Sequence, residues 1–143
     1  MRAGAVMGNR FINLAACGGA LFWASAATAV GQEEALTAVP SGLQLEPLEQ
    51  FIEPQPDGTA WARFRFVAPG LAQGVGYDRV EPDFAHLCAE YALPLLRAAG
   101  ETVSQVVISM SSQPLEFGAS APEIVQYFEA FSIEDDRCIW EAF

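Results

Sequence analysis

The stretch Ala60-Trp61-Ala62-Arg63-Phe64-Arg65-Phe66-Val67-Ala68 alternates with period two. Ala60, Ala62, Phe64, Phe66 and Ala68 fall on one side and Trp61, Arg63, Arg65 and Val67 on the other. That is the pattern of a strand with one buried and one polar face, so the Phe64/Phe66 side is predicted core. Just before it, Pro54-Gln55-Pro56-Asp57-Gly58 has hairpin-loop chemistry, because proline fixes φ and Asp-Gly tolerates a left-handed backbone. Residues 43–53 then read as the partner strand. With 54–58 as the loop, Glu53 faces Thr59, Glu49 faces Arg63 as a cross-strand ion pair, and Arg65 faces Pro47 without a partner.

Working outward, Pro69 to Gly76 reads as a glycine-containing loop. A helix follows, with Pro82 near its first turn and Gly100 as its stop. Phe84, Leu87, Cys88, Tyr91 and Leu95 form its apolar stripe, and Pro94 is expected to kink or end it. Val103 to Ser111 is a β-branched run and reads as a central strand. Gln113 to Ser120 reads as a loop. Ser120-Ala121-Pro122-Glu123 has the form of a capping box that starts one helical turn. Residues 127–133 and 138–143 read as a terminal hairpin about Glu134 to Arg137. A helix over 123–131 is the alternative, since Ile124, Phe128 and Phe131 share helical spacing. The order ββ-α-β-ββ predicts an α+β domain with one main helix packed on an antiparallel sheet of about five strands.

The N-terminus reads as a targeting segment. Arg2 and Arg10 precede an apolar run from Phe11 to Trp23, and Ala27-Thr28-Ala29 is an A-x-A cleavage pattern. Residues 1–29 are therefore expected to be a signal peptide, 30–42 a flexible arm and 43–143 a single domain. Two alternatives stay open. A retained anchor would use Phe11 to Val30 as a span. A lipoprotein would use Leu14-Ala15-Ala16-Cys17, with Cys17 as the lipidated residue. The expected location is the periplasm or the exterior, with no stable membrane span after cleavage.

Composition narrows the function classes. The 143 residues carry 18 acidic side chains against 7 basic ones, and 52% are hydrophobic. That much apolar content argues for a packed core and against disorder. The acidity excludes a nucleic-acid binder driven by counterion release, which needs Lys and Arg in excess. Past residue 29 the chain keeps five arginines against all 18 acids, a formal net charge of −13. A chain of that sign favours a basic protein partner. Cys88 and Cys138 are the cysteines left after cleavage. In an oxidising compartment two such thiols form a disulfide. A reactive thiol pair or two metal-ligating thiolates are the alternatives.

The blocks Arg63-Phe64-Arg65-Phe66-Val67-Ala68-Pro69, Asp83…His86-Leu87-Cys88 and Tyr127-Phe128-Glu129-Ala130-Phe131…Cys138-Ile139-Trp140-Glu141-Ala142-Phe143 resemble a family of small exported bacterial proteins of unknown function. The resemblance runs over roughly 43–143. It implies a fold and an exported location, and it brings no activity, cofactor or catalytic residue with it.

Three groupings bear on chemistry. Asp83, His86 and Glu90 stand at i−3, i and i+4 on the helix, a spacing that offers one imidazole and two carboxylates to a divalent metal, or else an ordinary charged face. Ser109, Ser111 and Ser112 lie close in sequence, but no G-x-S-x-G elbow surrounds them. Arg63 and Arg65 form a candidate anion patch on the polar face of their strand. The glycines at 70, 74 and 76 lack a phosphate-loop spacing, and the chain has no lysine to serve one. No cofactor is expected. The sequence therefore predicts an exported acidic interaction or binding module without catalytic activity. The alternative is a small metal-dependent or acid–base hydrolase that uses the His86 face.

Overall fold

The computed structural model describes residues 31–36 and 38–142. The expected signal, with Cys17, lies outside them. Strands β1 (Glu46–Pro54) and β2 (Ala60–Val67) form the first hairpin. A 3-10 turn (Pro69–Gln73) leads to α1 (Tyr77–Leu87), a π turn (Cys88–Ala92) and α2 (Leu93–Ala99). Strands β3 (Gln105–Ser111), β4 (Gln126–Glu134) and β5 (Arg137–Trp140) complete the chain. The strands lie in the order β1-β2-β3-β4-β5 in one sheet. The fold is α+β, with a single helical layer on one face, as the element order predicts. Among the described residues no helix is long and apolar enough to cross a membrane.

The sheet is mixed where an antiparallel one was expected. Three of its joins are antiparallel, but β2 and β3 run parallel, with Arg63 opposite Val107 and Phe66 opposite Met110. The helix between those two strands is the cause. A connection that climbs back over the sheet returns the chain to the same end before the next strand begins.

The alternation of β2 places its faces as expected. Ala62, Phe64, Phe66 and Ala68 are buried. They meet Val80, Phe84, Leu87 and Tyr91 of the helix and Val106, Ile108 and Met110 of β3 in one core. Tyr91 stands edge-on to both Phe64 and Phe66. The stretch read as an arm contributes to this core as well. Residues 31–36 are helical, and Ala35 and Val39 are buried.

Of the two outcomes expected of Pro94, it does not end the helix but distorts the turn before it. A proline there has no N–H for a carbonyl one turn back. The preceding turn widens, so that Leu93 N–H reaches the carbonyl of Cys88. The extra residue rotates everything after it, and Leu96 is buried in place of the expected Leu95.

The first hairpin keeps its predicted faces but not its predicted register. Pro54 stays in the strand opposite Ala60, and Gln55 N–H closes the loop on the Thr59 carbonyl at 2.9 Å. The ladder is therefore offset by two residues. Glu53 faces Trp61, Phe51 faces Arg63 and Glu49 faces Arg65. A two-residue slip preserves which face each side chain takes but changes its neighbours. A bulge between Pro47 and Glu49 ends the regular pairing. At the other end of the chain 126–134 is a strand, as preferred over a helix, and the turn Asp135-Asp136 has φ of 50° and 60°. Two residues with positive φ form the tight turn whose twist matches a hairpin. The expected helical turn after Ser120 is a simple turn, with Ile124 N–H bonded to the Ala121 carbonyl at 2.9 Å.

Candidate functional site

Cys88 is fully buried on the helix, and Cys138 is the second residue of β5. The two are joined in a disulfide with Cα atoms 6.2 Å apart. This bond ties the start of the π turn to the sheet's last strand.

The residues proposed around His86 are not gathered into a site. Asp83 is fully buried and turned away from solvent. Its carboxylate accepts the Ser41 backbone N–H at 2.8 Å and the Ser41 hydroxyl. It holds the loop before β1 against the helix. The reason is helical geometry, since Asp83 falls within the arc of Val80, Phe84 and Leu87. His86 Nε2 lies 2.9 Å from the Ala35 carbonyl, and Glu90 is exposed. His86, Glu90 and Glu34 line a wide groove of about 770 Å³ between residues 31–38 and the helix. Among the described residues no three His, Cys, Asp or Glu side chains are grouped to hold a metal. The serines lie at the sheet. Ser111 Oγ donates to the Gln113 carbonyl at 2.7 Å, and Ser112 Oγ accepts the Val125 N–H at 3.2 Å. Both hydroxyls serve the loop 112–125.

That loop builds a second recess on the sheet face opposite the helix. Side chains at alternate positions, namely Arg63 and Arg65, Val107 and Ser109, Phe128 and Ala130, point to this face. The loop crosses part of it and sets Phe117 against Phe51, edge-on, with ring centroids 5.1 Å apart. Arg65 is buried and bonds the Glu49 carboxylate and the Leu115 carbonyl, which fixes the loop to the sheet. Arg63 donates its Nε to Glu53. Its guanidinium carbon lies 4.9 Å from the Phe117 centroid and 5.7 Å from that of Trp61, so the cation is flanked by two aromatic rings. The expected Glu49–Arg63 pair is thus replaced by Glu53–Arg63 and Glu49–Arg65. Both arginines line a pocket of about 250 Å³ whose other walls include Val107, Ser109, Phe117, Gln126 and Phe128.

Phe117 lies outside every periodic segment of the sequence, so neither helical nor strand spacing singled it out. The available signal was an aromatic residue inside a Pro- and Gly-containing loop, where no core position needs one.

A further polar cluster lies on the helix side. Glu129 is buried there and accepts the Tyr77 hydroxyl and, at 2.7 Å, the Trp140 indole N–H. The Glu129 carboxylate is the main reason the Tyr77 hydroxyl is pushed up to about 12, with burial adding to it.

Comparison with curated proteins and with solved structures finds no match. A family model, by contrast, matches residues 18–143, which takes in every described helix and strand, the two disulfide cysteines and the arginine pocket. The chain belongs to that family, DUF6497, a family of unknown function.

Proposed function

We propose that the chain is an exported, acidic binding module without catalytic activity, and that the outer-face pocket beside Arg63 and Arg65 is its recognition surface. The observation that carries this reading is the outer sheet face, which the described residues cover only in part. One loop crosses the face, and Phe117 and Phe128, 51% and 58% exposed, flank a pocket lined by two arginines. Exposed aromatics beside fixed arginines are the usual composition of an interaction hot spot. The Cys88–Cys138 disulfide supports an oxidising compartment, the periplasm or the exterior. The excess of acids, 18 against 7 basic residues, favours a basic protein partner. The hydrolase alternative at His86 has less support, because Asp83 is committed to Ser41.

The test is capture of partners from the exported fraction of the source cells by immobilised protein. Phe128→Ser is expected to remove the captured species and His86→Ala to leave them. Unchanged capture by Phe128→Ser, or an esterase or peptidase activity lost in His86→Ala, overturns the reading.

A further inference from the structure

We infer that the outer-face pocket takes a carboxylate attached to an apolar body, held end-on by Arg63. The inference rests on the reading of this face as a recognition surface and adds the chemistry of what is recognised. Arg63 uses one N–H, at Nε, for Glu53. Among the described residues its two terminal nitrogens have no hydrogen-bond partner. A guanidinium carries five donors in a planar fork, and the edge formed by the terminal nitrogens matches the two oxygens of one carboxylate.

The fork is held in place before any ligand arrives. Phe117 and Trp61 lie against the guanidinium, and Glu53 anchors its other edge. Phe117 is itself braced by Phe51. Little side-chain entropy remains to be lost on binding, which is the usual advantage of a preorganised site.

The neighbours divide the pocket into a polar and an apolar part. Ser109 sits across from Arg65 in the parallel pair, and its hydroxyl has no protein partner among the described residues. Gln126 adds an amide. Val107, Phe117 and Phe128 supply apolar walls. A few convergent polar groups among apolar ones, in a volume of about 250 Å³, suit a small acid with an aryl or alkyl body. Inorganic anions would leave those walls facing water. The overall negative charge slows the approach of an anion, but at physiological salt it is screened beyond about 8 Å.

Two sources present this chemistry, a free apolar carboxylic acid and the C-terminus of a polypeptide ending in an apolar residue. Both are tested by calorimetric titration of the disulfide-bonded protein. The probes are 3-phenylpropionate and 3-phenylpropionamide, then an acetylated pentapeptide ending in Phe with a free carboxylate and the same peptide amidated. At least one carboxylate is expected to bind at least tenfold more tightly than its amide, and the stronger of the two acids names the source. Arg63→Gln is expected to lose that tenfold preference. Arg63→Lys is expected to restore only part of it, because an ammonium lacks the fork. Ser109→Ala, which leaves every ion pair intact, is expected to weaken the acid a fewfold.

Equal binding of acid and amide overturns the proposal, as does an undiminished preference in Arg63→Gln. No binding of any probe at millimolar concentration overturns it too. In those cases the effect of Phe128→Ser on partner capture still decides separately whether the face is a recognition surface.

Discussion

Removing the disulfide by the double substitution Cys88→Ala/Cys138→Ala isolates one cross-link without leaving a lone thiol. The bond closes a loop of 50 residues. In the chain-entropy model that loop restrains the unfolded state by about 4 kcal/mol at 25 °C. Cys88 is fully buried, so its sulfur also leaves a small void worth about 1 kcal/mol. Single domains are commonly stable by about 5–15 kcal/mol, so the loss is a third or more of the total. Urea unfolding followed by Trp61 and Trp140 fluorescence reads it directly. The midpoint is expected to fall and the slope to rise, because an uncrosslinked unfolded chain exposes more surface. The melting temperature is expected to fall by roughly 15–20 °C. Unreduced and reduced wild-type protein provide the control, and the reduced form, which keeps the Cys88 sulfur, should show the loss less about 1 kcal/mol for the void. A loss below about 1 kcal/mol, or a reduced wild type with the oxidised midpoint, refutes the reasoning.

Two further outcomes follow from the polar cluster and the terminal turn. Folding raises Tyr77 from 10.0 to about 12, so the protonated phenol is favoured in the folded state. Its contribution is complete below pH 10 and is lost as pH climbs toward 12. Stability measured from pH 8 to 12 should therefore decline over that window, and in Tyr77→Phe the decline should be smaller. At pH 8 the same substitution should cost about 1 kcal/mol by urea unfolding, as Glu129 keeps the Trp140 donor. An unchanged alkaline decline counts against the Tyr77–Glu129 bond. In the β4–β5 turn, Asp136→Gly should add about 0.5–1 kcal/mol, because glycine adopts φ near 60° without a Cβ penalty. The exposed Arg97–Asp136 pair, with both side chains more than half accessible, offsets little of that gain. Destabilisation by Asp136→Gly would show that the ion pair outweighs the turn.

Much of the fold was legible because period-two and 3.6-residue patterns report burial directly. The alternation of 60–68 placed Phe64 and Phe66 in the core without any knowledge of partners. What the pattern could not reach was pairing. Both registers of the first hairpin put Glu49, Phe51, Arg63 and Arg65 on one face, so only the turn geometry at Pro54 and Gln55 chose between them. The parallel β2–β3 join was implicit in the order strand, helix, strand, which favours a crossover when the flanking strands are adjacent. The candidate site was half legible. Arg63 and Arg65 stood out as cations in an acidic chain, but their partners Glu53 and Glu49 depended on register. Phe117 belongs to a loop without periodicity, and its place over the guanidinium is a tertiary contact. Asp83 misled for a different reason. Spacing that puts a residue near His86 also puts it beside Val80 and Leu87, and the apolar arc is the wider of the two.

The mixed topology also sets the order in which the chain can assemble. The two hairpins close over short turns and need only their immediate neighbours. The central pair is different, since Arg63 meets Val107 only after the whole helical connection has formed. Closing such a long segment costs entropy before any contact rewards it, so the central join belongs to the slow part of folding. Cys88 lies inside that connection and Cys138 lies beyond it, in the second hairpin. Oxidation therefore samples the helical connection and the second hairpin at once. The thiols meet only when the helix is already seated on a sheet that includes β5, and the bond then locks an assembly that backbone pairing has built.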